Sequence, residues 1–200
     1  MRSNRKYRLI GGLLLGSVCL AQQPQIPIVP QDFVRPGGNG STIVQDPAAP
    51  VSFELPAGWF LTTGMRWGTH ETTLSILDRA SGATATVYYQ YPIVAKIPVD
   101  LDAALRAGME AKVKQRRDRE GLKNYHVRAG SVQTSVVDGR PALSFIGDFT
   151  GPRGQAMNEY MVRVLGSDAK AEFFVHMPAR ADLGAFTARL GEVIQTLRIP

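Results

Sequence analysis

Cysteine is almost absent from this chain of 200 residues: there is one, Cys19, inside the first twenty positions. Beyond it the sequence offers no disulfide and no thiolate nucleophile. Long apolar runs are scarce too. Leu9 to Leu20 (LIGGLLLGSVCL) spans 12 residues, short of the roughly 20 that a membrane-crossing helix needs. The three histidines, His70, His126 and His176, are far apart, and no HxxxH or CxxC spacing occurs. They read as polar-facing surface or satisfied histidines, and no metal site is expected. No Gly-x-Ser-x-Gly elbow is present, and Gly166-Ser167-Asp168 falls between strand patterns. Gly37-Gly38-Asn39-Gly40-Ser41 lacks the lysine and the strand–helix setting of a phosphate loop. Asp100 and Asp102 precede a helix and read as caps, not as a catalytic pair. These absences argue against an enzyme and against a cofactor.

A surplus of one charge sign is also missing once position is considered. The formal charge is +6, from 23 Lys and Arg against 17 Asp and Glu. Four of the basic residues, Arg2, Arg5, Lys6 and Arg8, lie in the first eight positions. Without them 19 bases face 17 acids. That is too even a balance to expect a nucleic-acid partner.

The basic start, the short apolar run and the small residues around Leu20 make residues 1–21 a secretory signal peptide, cleaved between Ala21 and Gln22. The mature chain then has no transmembrane span. Lipid attachment through Cys19 is the alternative, but Val18 before the cysteine suits it poorly. Residues 22–50 hold six of the 13 prolines and the Gly37–Ser41 cluster. They are expected to form a Pro/Gly-rich linker. Residues 51–200 are expected to form the folded domain.

That domain opens with Val51-Ser52-Phe53-Glu54-Leu55-Pro56-Ala57-Gly58-Trp59. The alternation of Phe53 and Leu55 with Ser52 and Glu54 predicts a half-buried strand, stopped by Pro56. Thr62 to Gly68 reads as a loop. Thr69–Arg79 and Ala83–Tyr91 read as a strand pair. Leu101, Ala104, Leu105, Gly108 and Met109 recur at helical spacing behind the cap Asp100, and Gly121 ends that helix. Four strands follow: Tyr125–Val137, Arg140–Phe149, Gln155–Leu165 and Lys170–Met177, the first two joined by the hairpin turn Asp138-Gly139. Leu183, Phe186, Leu190, Val193, Ile194 and Leu197 make the cleanest amphipathic helix of the chain. The class is α+β, with a single antiparallel sheet flanked by two helices.

This layout resembles the PsbP/Mog1-like families, including envelope relatives of the DcrB and LpqN type. The resemblance rests on Phe53–Trp59, the helix from Leu101, the strand pair around Val137-Asp138-Gly139-Arg140-Pro141-Ala142, and the closing Ile194-Gln195-Thr196-Leu197-Arg198. It covers Val51 to Pro200. It implies a sheet–helix sandwich and a non-catalytic role in binding or assembly. It carries over no functional residue.

Two surfaces are candidates for binding. One joins Arg66, Trp67 and His70 on a loop to Tyr88 on the outward face of its strand, since exposed aromatics with arginine favour contact. The other is the basic end of the first helix, Lys112, Lys114, Arg116 and Arg117, facing an anionic head group or an acidic partner. The bland readings are Trp67 folded onto the core and a solvated helix end. The expected function is an exported, non-catalytic binding or assembly module, with a protein or a small apolar or lipid ligand as partner. Alternatives are a lipid carrier using space between sheet and helix, or a small envelope hydrolase with a scattered site.

Overall fold

The computed structural model describes residues 25–93 and 100–200. The cleavage point at Ala21 and Gln22, and Cys19, lie outside the described residues. In chain order the strands are β1 (Gln25–Pro27), β2 (Val34–Pro36), β3 (Thr42–Gln45), β4 (Ser52–Leu55), β5 (Trp59–Trp67), β6 (Glu71–Asp78) and β7 (Ala83–Gln90). Helix α1 (Leu101–Asp118) follows. Then come β8 (Lys123–Val127), β9 (Gln133–Val137), β10 (Arg140–Thr150), β11 (Ala156–Leu165) and β12 (Lys170–Pro178), and α2 (Leu183–Gln195) closes the chain.

The α+β class holds, but the strands form two sheets among the described residues, not one. The larger runs β1-β5-β6-β7-β12-β11-β10-β8, with β9 also on β10. The smaller is β2-β3-β4. Every pairing is antiparallel, as short turns require. The extra sheet comes from the stretch expected to be a linker. From Gln25 onward it is folded onto the domain, and Phe33 and Val44 are buried in the main core. Its prolines do not prevent this. Pro27 and Pro36 end short strands at sheet edges, and Pro30 opens a single helical turn. Those are the places where a missing N–H costs least.

Thr62 to Gly68 is also not a loop. Strand β5 continues to Trp67, with a register shift between Leu61 and Thr63. Gly64 lies directly under Ile28 and Leu74, which fill the space a side chain would take. The expected strand over residues 125–137 is two strands broken by a turn at Gly130. Asp138 and Gly139 both have positive φ, 51° and 71°, so the hairpin turn is of the kind its sequence announces.

Residues that alternate along each strand sort onto two faces. One face carries Leu74, Ile76, Ala85, Val87, Val162, Val164, Phe173 and Val175. Helix α2 presses Phe186, Leu190, Val193 and Ile194 onto it, and the small sheet adds Phe53 and Leu55. Phe53 meets Phe173 edge-on at 5.9 Å, and Trp59 meets Phe186 at 5.8 Å. Leu197 and Ile199 belong to the same core, and Arg198 exchanges two backbone hydrogen bonds with Ser52. The opposite face carries a smaller apolar patch, Leu143, Phe145, Met161 and Leu165, covered by Leu101, Ala104, Leu105 and Met109 of α1. Helix α1 lies mainly over β8, β10 and β11 and reaches β12 through Lys112 and Arg116, so that face stays open above β6 and β7.

Candidate functional site

Helix α1 begins at Asp100, whose carboxylate accepts from the Ala103 N–H at 2.9 Å. For its first two turns the side facing the sheet is apolar. Beyond Met109 the same side becomes Lys112, Gln115, Arg116 and Arg119, three and four residues apart. The strands below change in step. Going along β11, the α1 face reads Glu159, Met161, Arg163, and along β12 it reads Lys170, Glu172, Phe174, His176. Of these, the four helix residues and Arg163, Lys170, Glu172 and Phe174, together with Glu71, Thr73 and Tyr88, border a cleft of about 570 Å3, and Glu159 lies buried behind Arg116.

Two buried carboxylates organise the cleft wall. Glu172 is held by Arg163, whose Nε donates at 3.0 Å, and by Lys112, whose Nζ lies 2.9 Å from Oε2. Burial pushes the Glu172 carboxyl up, but Arg163 and Lys112 outweigh it and hold the group below the usual carboxylate range. Arg163 reaches this position because residue 108 is glycine. Any side chain there would collide with the Arg163 guanidinium.

Glu159 is fully buried. It accepts from the Arg116 guanidinium, from the Tyr125 hydroxyl, and lies 3.0 Å from His176 Nε2. Burial raises its pKa, and the His176 hydrogen bond, the Arg116 charge and Tyr125 together bring it below the ordinary value. Tyr125 lies across Gly147, where a Cβ would overlap its ring. Glu120 pairs with Arg116 from the end of the helix, and the guanidinium lies 4.8 Å over the Phe174 ring.

His176 is a satisfied histidine, one of the two readings expected from the sequence: it is exposed on one side, but its ring lies beside the Glu159 carboxylate, with Phe149 edge-on at 5.1 Å. An imidazole oriented by a carboxylate is half of a catalytic dyad. Here the carboxylate is already engaged by a guanidinium and a phenol. Burial, and then Glu159, push the Tyr125 hydroxyl far up, so it is a donor and no nucleophile. His70 and His126 are exposed, and the ring of His126 faces the Asn124 carbonyl at 2.9 Å.

Of the residues singled out from the sequence, Tyr88, Lys112 and Arg116 meet in the cleft. Lys112 and Arg116 are not a solvated helix end: both are tied into the sheet. Lys114 and Arg117 point outward and are exposed. Arg66 sits on the opposite face of β5, where it binds the buried Asp46 at 2.6 Å; Asp46 also accepts from Tyr89 at 2.6 Å. Trp67 stands opposite Glu71 at the end of β5 and is half-buried. The expected loop surface of Arg66, Trp67 and Tyr88 is thus split between two faces of a strand pair. Glu159, Arg163, Lys170 and Glu172 were missed. Their signal was present as charges sharing one alternate face of β11 and β12 with Met161 and Phe174, on the side away from Val162, Val164, Phe173 and Val175.

No protein-family model matches the chain, and no curated protein matches it. Its similarity is to solved structures. The solution structure of the cyanobacterial PsbP protein CyanoP, from Synechocystis, superposes with a TM-score of 0.58 over 83% of this chain and 98% of that one. The fold is PsbP-like. Sequence identity is 13%, so the likeness concerns the fold alone. A crystal structure from Bacteroides thetaiotaomicron matches at a TM-score of 0.50 and 12% identity, over 79% of this chain and 48% of that one. The PsbP-like arrangement of a large antiparallel sheet with two helices is what brings α1 over the charged strands.

Proposed function

We propose that this chain is an exported, non-catalytic binding module of the PsbP/Mog1-like kind, working at the cell envelope through the cleft beside α1. The observation that carries this reading is the state of the cleft's ionisable groups. Glu159 and Glu172, the buried acids, are each engaged by two or more cationic or hydrogen-bonding partners that hold them as fixed charges. A general base or nucleophile needs a free lone pair at the reacting atom. A recognition surface needs fixed, oriented charge, and this cleft has it.

Export is supported by the order of basic, apolar and small residues over 1–21. The other route to a binding role, carriage of an apolar ligand between α2 and the sheet, is disfavoured by the filling of that layer. Phe186, Leu190 and Val193 are each fully buried against Phe173, Trp59 and their neighbours.

The test is capture from a cell-envelope extract by the full chain and by Lys170→Glu. A partner or ligand retained by the native chain and lost from the variant is the expected result. Turnover of an ester, amide or phosphate substrate by the purified protein, abolished by His176→Ala, would overturn the reading.

A further inference from the structure

The two ends of the cleft differ in charge balance. At the end nearer Glu120, Arg116 is compensated twice, by Glu120 and Glu159. At the other end Lys112, Arg163 and Lys170 surround Glu172. Lys112 and Arg163 pair with it directly, and Lys170 projects from the same face of β12, two residues away. Among the described residues Lys170 has no carboxylate within 4.0 Å, and its Nζ lies 5.5 Å over the Tyr88 ring. Residues 1–24 and 94–99 contain no acid that could serve it. Burial, together with Arg163 and Lys112, outweighs Glu172 and Glu71 and pushes the Lys170 ammonium down. With the buried Glu159 that compensates Arg116 included, five cations (Lys112, Arg116, Arg119, Arg163, Lys170) face four carboxylates (Glu71, Glu120, Glu159, Glu172).

Partly buried cations without a counter-charge are costly to a fold, and an anion that supplies the counter-charge is held by the same energy. Donors are spare as well. Lys112 and Lys170 carry three N–H groups each, and one Lys112 donor suffices for Glu172. The unpaired Lys170 ammonium and these spare donors suit a phosphate group, which carries about −1.5 to −2 at neutral pH and three strong acceptor oxygens. The volume suits a small molecule, since ligand sites commonly span roughly 300–1,000 Å3.

We infer that the end of the cleft formed by Lys112, Arg163, Lys170 and Tyr88 is a binding site for the phosphate group of a small molecule or lipid head group. The inference rests on the binding reading above and names its ligand chemistry. Lys170 is the primary contact, because it alone of the three cations has no ion-pair partner. Lys112 and Arg163 position Glu172 and the helix and add field. Tyr88 supplies a flat wall beside the ammonium.

The experiment is a ¹⁵N NMR titration of the full chain with inorganic phosphate at fixed ionic strength. Saturable shifts confined to the cleft, at residues 71–73, 88, 108–119, 163 and 170–174, are expected, with Kd of roughly 1 mM or tighter. Lys170→Gln should weaken binding about tenfold, as loss of a charge-assisted hydrogen bond does. Lys170→Arg should restore most of it, and Arg117→Gln, on the outer side of α1, should leave it unchanged. Co-sedimentation with phosphatidylglycerol vesicles, set against phosphatidylcholine, separates the sources. Lys170-dependent sedimentation assigns a lipid head group; saturable phosphate binding without sedimentation assigns a soluble phosphate compound. The inference is overturned by an unsaturable response, by unchanged affinity in Lys170→Gln, or by an acidic peptide that displaces phosphate at tenfold lower concentration. A negative result would leave the extract-capture test standing, while His176-dependent turnover would sink the binding reading and leave phosphate affinity to be judged separately.

Discussion

Under α2 the large sheet offers Val87, Val164, Phe173 and Val175, and the helix answers with Phe186, Leu190, Val193 and Ile194. Under the second half of α1 the same strands offer Glu159, Arg163, Glu172 and His176, and that helix answers with Lys112 and Arg116. β11 and β12 take part in both interfaces, so the difference is made residue by residue along a single backbone. The apolar interface is non-directional and gains from every methylene removed from water. The charged one gains little overall, because desolvation offsets attraction, yet it is costly to break by halves. A scaffold is best held by the first kind. The second kind fixes positions and leaves charge at a surface, which is what recognition uses.

The largest expected effect lies on the α2 side. Phe186→Ala removes a fully buried ring against Trp59 and should cost about 3–5 kcal/mol. Urea unfolding followed by tryptophan fluorescence would measure it. On the α1 side Glu159→Ala leaves Arg116 buried with only Glu120 as a partner, and a loss of about 3 kcal/mol is expected in the same assay. The comparison breaks if replacing both members, as in Glu159→Leu with Arg116→Met, is as harmful as Glu159→Ala alone. A buried ion pair exchanged for apolar residues of similar size should be close to neutral.

Much of this contrast could be read from the sequence. The ridge Leu183-Phe186-Leu190 and its caps are periodic, and periodicity survives into the fold because α2 has one wet and one dry side. The Asp138-Gly139 hairpin was legible because few residue pairs tolerate two positive φ values. The folded stretch from Gln25 was not. Its proline density resembles a linker, and nothing local says that Phe33 and Val44 will join a core whose other members reach from Phe53 to Phe173 and Phe186. The charged cleft was half legible. Lys112 and Arg116 stood out as a basic run on one helix, but their partners lie on β11 and β12, and only sheet register tells which acid faces which base. The partner that satisfies His176 was hidden for the same reason: Glu159 is opposite it across strands.

Acid should separate the two sides without any mutation. Glu159 and Glu172 have folded pKa values below their ordinary 4.5. Their contribution is therefore fully present above that value and is lost as pH falls through the lower, folded one. The α2 interface rests on Phe186, Leu190, Val193 and Ile194, which do not titrate, and has one such carboxylate, Asp78 bound to Arg189, at its side. Hydrogen exchange measured at pH 6 and again near pH 3 should show amides of α1 losing protection before those of α2. Equal loss on both helices would mean that the carboxylates do not hold α1 in place.

The smallest effect is the most discriminating, because it changes sign. Both helices carry an interior glycine, Gly108 in α1 and Gly191 in α2. A helix favours alanine over glycine by roughly 0.5–1 kcal/mol. At Gly191 nothing lies within 4 Å of the added methyl, so Gly191→Ala should stabilise by about that amount. At Gly108 the methyl meets the Arg163 guanidinium, which can give way only by loosening its pairing with Glu172. Overpacking of this kind costs roughly 1–3 kcal/mol, which exceeds the gain in propensity. Gly108→Ala should therefore destabilise, by about 1 kcal/mol net, and should also perturb the cleft. If instead both substitutions stabilise equally, Arg163 is free to swing away, the ion cluster is a surface feature, and the charged face loses its claim to being built.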